Sequence, residues 1–317
     1  MNPKLEVSLA GLKLKNPVML ASGPLGASPS VLKRIARAGA GAVVTKTLTL
    51  EPRGGYKPPV IHFSRCYILN AVGLANPGIK NFRNAIQDFK EEYVDVPIVV
   101  SLAASNTEEY VQIAGLAQDY GADGVELNLS CPHVKGLGAD IADDPALVKE
   151  IVSAVKKKVK IPVFAKLTPN TPDIVMQGRP AVEGGADGLV AVNTVRGMAV
   201  DINRKTPVLS NVYGGVSGRA LHPIAVYSVY ALRRALEVPI VGVGGVMTWR
   251  DAVELILAGA TAVQIYTALL TSRKEPEAVI TSLTKGITNY MRKHGFTCIE
   301  EMSGYILRQD PRQSKAV

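Results

Sequence analysis

Three side chains in this 317-residue chain stand where chemistry is easily done. The stretch VELNLSCPHVKGLGAD, residues 125–140, closes an apolar run on Cys131, turns at Pro132 and opens into a glycine-containing loop. A thiol at the mouth of a strand can act as a nucleophile, a metal ligand or a general base. The metal reading fails, because no set of His and Cys in the chain has ligand spacing. His133, two residues on, can pair with the thiol only if the turn at Pro132 brings both side chains to one side. The other two groups are Lys46 in AVVTKTLTL and Lys166 in VFAKLTPN, cations that each close an apolar run. Cys66 and Cys298 have no comparable surroundings and are expected to be packing residues.

Such groups act together only if the backbone sets them side by side, and a repeating grammar says how. Four apolar runs follow a proline: NPVMLAS at Pro17, VPIVVSL at Pro97, IPVFAKL at Pro162 and VPIVGVGG at Pro239. Four others follow a glycine–alanine turn: AGAGAVVTK at Gly39, YGADGVELNLS at Gly121, GGADGLVAVNT at Gly185 and AGATAVQIYTA at Gly259. The two kinds alternate along the chain. Glycine just past a helix takes up the left-handed conformation that ends it. Proline cannot continue a helix but is tolerated at the first residue of a strand. Both therefore mark switches from helix to strand.

The runs are short and rich in Val, Ile and Leu, as in parallel strands buried on both faces. Amphipathic segments such as SVLKRIARAG, EEYVQIAGLAQDYG, ALVKEIVSAVKKK and WRDAVELILAG lie between them. The pattern predicts an α/β protein, a single (β/α)8 barrel over residues 1–317. An open doubly wound sheet is the alternative, but ASGPLGAS after the first strand does not fit its G-x-G-x-x-G turn. Insertions at residues 50–77 and 131–144 follow strands, so they are expected over the C-terminal face, where barrel active sites lie.

The strand ends, read in order, are Ser22, Lys46, Ser101, Asn128, Lys166, Asn193, Gly244 with Gly245, and Thr267. Glu126 joins this ring if the strand alternation turns it inward. Two cations among amides and hydroxyls suit an anionic, planar, hydrogen-bonding ligand. VGVGGVMTW and IYTALL follow the seventh and eighth strands, where barrels commonly cradle a phosphate. GGVSGRA adds a further close backbone approach. A phosphorylated cofactor across the barrel mouth is the physical expectation.

Composition narrows the class. Hydrophobic residues make up 47% and charged residues 20%, with a formal charge of +9. No apolar run approaches the roughly 20 residues that span a bilayer, and the first residues lack the apolar block of a signal peptide. A cytoplasmic protein without a membrane partner is expected. The densest basic run, Lys156–Lys157–Lys158 with Lys160, falls where a helix should end and complements its dipole, so no nucleic-acid partner is inferred.

With these residues assembled, the sequence resembles the class 1 dihydroorotate dehydrogenases, FMN-dependent barrel enzymes of pyrimidine synthesis. The likeness runs through LKNPVMLASG, KTLTLEPR, NAVGLANPG, NLSCP, AKLTPN, NTVRGM, GGVSG and GVGGV in order. EPRGGYKPP, NTVRGM and GGVSGRA are most similar to the 1B catalytic subunit in its archaeal form. The resemblance implies that Cys131 is the base that takes the C5 proton of dihydroorotate while hydride passes from C6 to the flavin N5. It implies that Lys46 meets both flavin and substrate carboxylate, and that Lys166 stabilises charge on the reduced flavin. Asn70, Ala71, Val72, Gly73, Leu74, Asn128, Asn193 and Thr194, with Lys46, are then the substrate's residues. Ala21, Ser22, Thr47, Ser101, Val192, Gly218, Gly244, Gly245, Tyr266 and Thr267, with Lys46, Asn128 and Lys166, are then those of FMN. The loop HVKGLGAD is implied to open for substrate and close against water.

Three positions depart from the family's pattern. Ser101 stands where an asparagine is usual, Tyr266 replaces a small residue before Thr267, and His133 replaces an asparagine after the Cys–Pro pair. The SCPH reading also occurs in the related domain of dihydropyrimidine dehydrogenase. Flavin-dependent conversion of uracil or thymine is therefore one alternative, and a phosphate-binding barrel isomerase or synthase without flavin is another. Members of the 1B branch pass electrons to NAD through a subunit that carries FAD and an iron–sulfur cluster. This chain has neither cluster-spaced cysteines nor a dinucleotide fingerprint, so the resemblance implies a homodimer that such a partner completes as a heterotetramer. The 1A branch uses fumarate instead. Class 2 enzymes have a membrane segment and a serine base, neither of which is found here.

Overall fold

In the computed structural model, which describes residues 3–129 and 139–309, all eight announced runs become strands. They are β1 (Val18–Leu20), β2 (Ala42–Val44), β3 (Ile98–Leu102), β4 (Gly124–Asn128), β5 (Val163–Lys166), β6 (Gly188–Ala191), β7 (Ile240–Val243) and β8 (Ala262–Ile265). Neighbours in the chain are parallel neighbours in the sheet, and β8 pairs with β1 through Val263 and Val18 to close the barrel. The helices between and after them are α1 (Pro29–Arg37), α2 (Arg83–Glu92), α3 (Thr107–Asp119), α4 (Pro145–Lys158), α5 (Val175–Glu183), α6 (His222–Ala235), α7 (Trp249–Ala258) and α8 (Pro276–His294). This is a single (β/α)8 barrel.

The glycine grammar has the expected cause. Gly39, Gly121, Gly185 and Gly259 have φ of +100°, +97°, +95° and +136°, a region closed to most side chains. In two of these turns the aspartate that follows has a second duty. Asp123 accepts the Ile98 amide at 2.8 Å and Lys90 Nζ at 2.9 Å. Asp187 accepts the Val163 amide and Lys156 Nζ, each at 2.7 Å. Each carboxylate thus satisfies a strand's first free N–H and anchors a helix to the barrel. The run Lys156–Lys158 closes α4, as expected of cations at a helix C-terminus.

The barrel's lower interior is apolar. Phe164 is 2% exposed and pairs in register with Glu126 and Gly188, partners that the tilt of barrel strands sets at different heights along the axis. A Cβ at Gly188 would come within 2.9 Å of the Phe164 ring, so the glycine there makes room for it. An N-terminal hairpin, Val7–Leu9 with Leu12–Leu14, was not anticipated as strands. Its turn residues Ala10 and Gly11 both have positive φ, as a two-residue hairpin requires. Its Leu9 joins Met19, Val99, Phe164, Val190 and Val241 around one small, mostly apolar void that Glu126 and Gln264 also line.

At the other end the insertion at residues 50–77 does stand over the barrel mouth. Its strands Ile61–Phe63 and Ile68–Asn70 pair antiparallel with each other, Ile68–Asn70 pairs with Tyr213–Ser217, and that strand pairs with Val195–Met198, forming a four-stranded roof. The segment between β6 and α6 is therefore a further insertion, visible in the sequence only as the separate motifs NTVRGM and GGVSGRA. Of the insertion at 131–144, residues 131–138 fall outside the described part. Among the described residues no helix is long and apolar enough to cross a membrane.

Candidate active site

Between the strand ends and the roof lies one cavity, lined by Ser22, Lys46, Asn128, Lys166, Asn193, Gly244, Gly245 and Thr267. The strand-end ring expected from sequence is therefore assembled in space, with Ser101 as its exception. Strand alternation is the reason. Lys166 and Phe164 are two apart on β5, so both point inward, one into the mouth and one into the apolar floor.

The polar groups are joined under the cavity. Lys166 Nζ lies 3.3 Å from Oε1 of Glu126, and the side chains are 7% and 1% exposed. Oε1 also accepts the Ser101 hydroxyl at 3.1 Å, while Oε2 accepts the Gln264 amide at 2.9 Å. Ser101 is fully buried and meets Thr47 Oγ1 at 3.0 Å, and Thr47 meets Ser22 Oγ at 3.0 Å. Ser101 thus lies one hydrogen bond below the cavity and acts on it through Thr47. Since Ser101 donates to the carboxylate, Thr47 donates to Ser101 and Ser22 to Thr47. The hydroxyls all point their protons toward Glu126.

A second set runs across the mouth. Asn128 Nδ2 donates to Thr47 Oγ1 at 3.3 Å, and its Oδ1 accepts Asn193 Nδ2 at 3.2 Å. Asn193 Oδ1 accepts the Thr194 amide at 2.8 Å. Tyr110 fixes the end of β4 by donating to the Asn128 carbonyl at 3.1 Å. Above them Asn70 donates to the Gly215 carbonyl at 3.2 Å and so belongs to the roof. The backbone beyond it, Val72–Gly73–Leu74, also lines the cavity. Gly73 and Leu74 have φ of +70° and +56°, and a non-glycine residue there marks a strained turn. Asn76 holds that turn, donating to Leu74 O at 2.7 Å while accepting the amides of Thr49 and Gly78. Ala71 does not line the cavity: it is buried, and its amide donates to Val60 O.

The glycine turn after β7 is braced from behind. Gly244 and Gly245 have φ of +134° and +69°, and His222 Nδ1 lies 3.0 Å from the Gly244 carbonyl. A Cβ on Gly245 would meet Gly218 O and His222 Cβ at 2.7 Å each. Gly218 thus backs the turn rather than facing the cavity. Ala21, Thr47, Val192 and Tyr266 all line it. Tyr266 fits because Gly23 opposes it: a Cβ there would sit 2.5 Å from the ring. Burial pushes the Tyr266 phenol up to about 12, against a small opposing pull from the Leu25 amide that it accepts at 3.4 Å.

Cys131 and His133 lie outside the described residues, three and five positions beyond the end of β4. Gln264 and Asn76 were missed by sequence reading. Gln264 had a signal, as the lone polar residue inside the apolar run AVQI.

Among the described residues lining the cavity there are two lysines, several amides and hydroxyls, and no carboxylate. That donor set fits FMN, an anion with an amide-edged ring. The model for the dihydroorotate dehydrogenase family matches residues 4–291. The chain belongs to that family. As a member it is an FMN-dependent oxidoreductase that oxidises dihydroorotate to orotate in pyrimidine biosynthesis.

Three archaeal relatives share the name dihydroorotate dehydrogenase B (NAD(+)), catalytic subunit. The protein of Pyrococcus abyssi is 45% identical over 96% of this chain and 99% of its own. That of Thermoplasma acidophilum is 44% identical over 96% and 99%. That of Methanocaldococcus jannaschii is 48% identical over 82% and 86%.

Proposed function

We propose that dihydroorotate binds between the Asn128–Asn193 ladder and the roof turn Val72–Leu74, with Cys131 as the base that takes its C5 proton. FMN, when bound, supplies the acceptor for the hydride that leaves C6. Lys46 then meets the substrate carboxylate, and Lys166 opposes negative charge as it builds in the floor of the site. Asn70, Asn128, Asn193 and Thr194 read the amide edges of the ring. The FMN phosphate is held where Gly244, Gly245 and Thr267 line the cavity, at the end of the barrel strands. Ser22 and Thr47 face the same cofactor.

One observation carries this reading: two buried lysines and a ladder of amides share a cavity lined by no carboxylate among the described residues. The relatives' name, catalytic subunit of an NAD(+)-dependent form, supports an exit for electrons through a second subunit. We read that partner as the bearer of FAD and an iron–sulfur cluster, since the three cysteines here have no cluster spacing. The assembly would be a homodimer of this chain joined by two such subunits in the cytoplasm.

The test is anaerobic mixing of the purified yellow protein with dihydroorotate. Rapid loss of the visible flavin absorbance is expected. A yellow protein bleached by dihydrouracil or dihydrothymine but not by dihydroorotate would refute the substrate assignment. Cys131→Ser should keep FMN and slow the bleaching by about 10²- to 10⁴-fold near neutral pH. Undiminished bleaching in that variant would remove Cys131 from the mechanism.

A further inference from the structure

The mechanism above uses Lys166 but leaves unexplained the fully buried carboxylate beneath it. Glu126 is 0% exposed and accepts from three different strands: Ser101 on β3, Lys166 on β5 and Gln264 on β8. With Gln264 it also borders a small void whose other walls are apolar, among them Met19, Val99, Phe164 and Val190. A carboxylate in such a place costs several kcal/mol of desolvation and is a poor device for stability alone. Lys166 and Gln264 both line the cavity, and Gln264 Oε1 has no partner among the described residues while its amide is spent on Glu126. The carboxylate therefore governs how two cavity groups are presented.

We propose that Glu126 is a positioning residue of the reaction. It tethers the Lys166 ammonium at the barrel mouth and, by partly neutralising it, sets how strongly the site favours negative charge on bound FMN. The proposal rests on the reading that Lys166 faces the cofactor. The hydroxyl relay Ser22–Thr47–Ser101 ends on the same carboxylate and spreads part of its charge.

Glu126→Gln tests this, because glutamine keeps an acceptor for Lys166 and Ser101 but removes the charge. Gln264 can turn its unpartnered Oε1 to accept the new amide. The reduced flavin and the flavin–sulfite adduct are both more negative than the oxidised flavin. Removing an anion beneath Lys166 should therefore tighten sulfite binding by about tenfold. The two-electron midpoint potential should rise by about 30 mV, the equivalent of tenfold. Lys166→Met should move both readings the opposite way. In the Lys166→Met background Glu126→Gln should add little, since a buried carboxylate stripped of its cation is neutralised.

A purely structural role for Glu126 would loosen Lys166 and so shift both readings in the Lys166→Met direction. That result, or no shift, overturns the proposal. If Glu126→Gln does not fold, Ser101→Ala serves: with one donor lost, sulfite binding should weaken and the potential fall by a smaller amount, and no change would again overturn it. The reading of the site fails separately, if Lys166→Met leaves both readings unmoved or if dihydroorotate does not bleach the wild-type protein.

Discussion

The upper and lower layers of this barrel are built from the same strands with the same inward alternation, and they hold opposite chemistry. The upper layer presents Ser101, Glu126, Lys166 and Gln264, joined by hydrogen bonds and an ion pair. The lower layer presents Leu9, Met19, Val99, Phe164, Val190 and Val241 around a small void, which Glu126 and Gln264 also border where the two layers meet. Two residues along β5 separate the Phe164 ring from the Lys166 ammonium. The difference teaches a division of labour: the floor supplies the free energy that permits the layer above to bury charge. Burial of an ion pair seldom adds stability, so the upper layer must be carried by something else.

If the layers are separate in that sense, damage to the floor should be read in stability and not in cofactor affinity. Phe164→Ala empties the space that Gly188 leaves for the ring, and should cost about 3–5 kcal/mol in denaturant unfolding. The folded variant should still bind FMN with nearly unchanged affinity. A parallel loss of FMN affinity would break the comparison.

The mouth should respond in the opposite way. Gly245→Ala places a Cβ against Gly218 O and His222 at a backbone φ of +69°. Strain of about 1–3 kcal/mol is expected there. The turn lies at the rim, so most of it should appear as FMN affinity weakened by about tenfold or more. Unchanged FMN affinity together with a lowered unfolding midpoint would make this turn part of the scaffold instead.

The two layers were not equally legible in the sequence. The barrel was readable because each helix-to-strand switch needs a backbone conformation that only glycine or proline marks. The glycines at 39, 121, 185 and 259 do adopt positive φ. The ring of strand-end groups followed from that periodicity, and it lines the cavity apart from Ser101. What stayed hidden depends on partners distant in the chain. Ser101 lies below the mouth because Thr47 and Glu126 both claim its hydroxyl. The roof exists because residues 68–70 offer an edge to residues 215–217, well over a hundred positions away. The N-terminal hairpin was visible only as a polar and apolar alternation without a stated partner.

Tyr266 stands at the boundary between scaffold and mouth, and the smallest expected effect belongs to it. Its ring packs against Gly23 and lines the cavity, while among the described residues its hydroxyl accepts only a long bond from the Leu25 amide. Tyr266→Phe should therefore cost no more than about 1 kcal/mol near neutrality. Alkali changes the balance. Burial raises this phenol from 10.0 to about 12 in the folded protein. Above the ordinary value the unfolded chain releases the proton while the folded chain keeps it. The wild type therefore loses stability from this group as the pH rises from 10 toward about 12. Phenylalanine has no proton to lose, so the gap between variant and wild type should narrow or reverse across that window. Denaturant midpoints measured on both sides of it decide the matter. A constant gap would mean that water reaches the phenol, and that the cavity wall at this point belongs to the wet mouth rather than to the packed barrel.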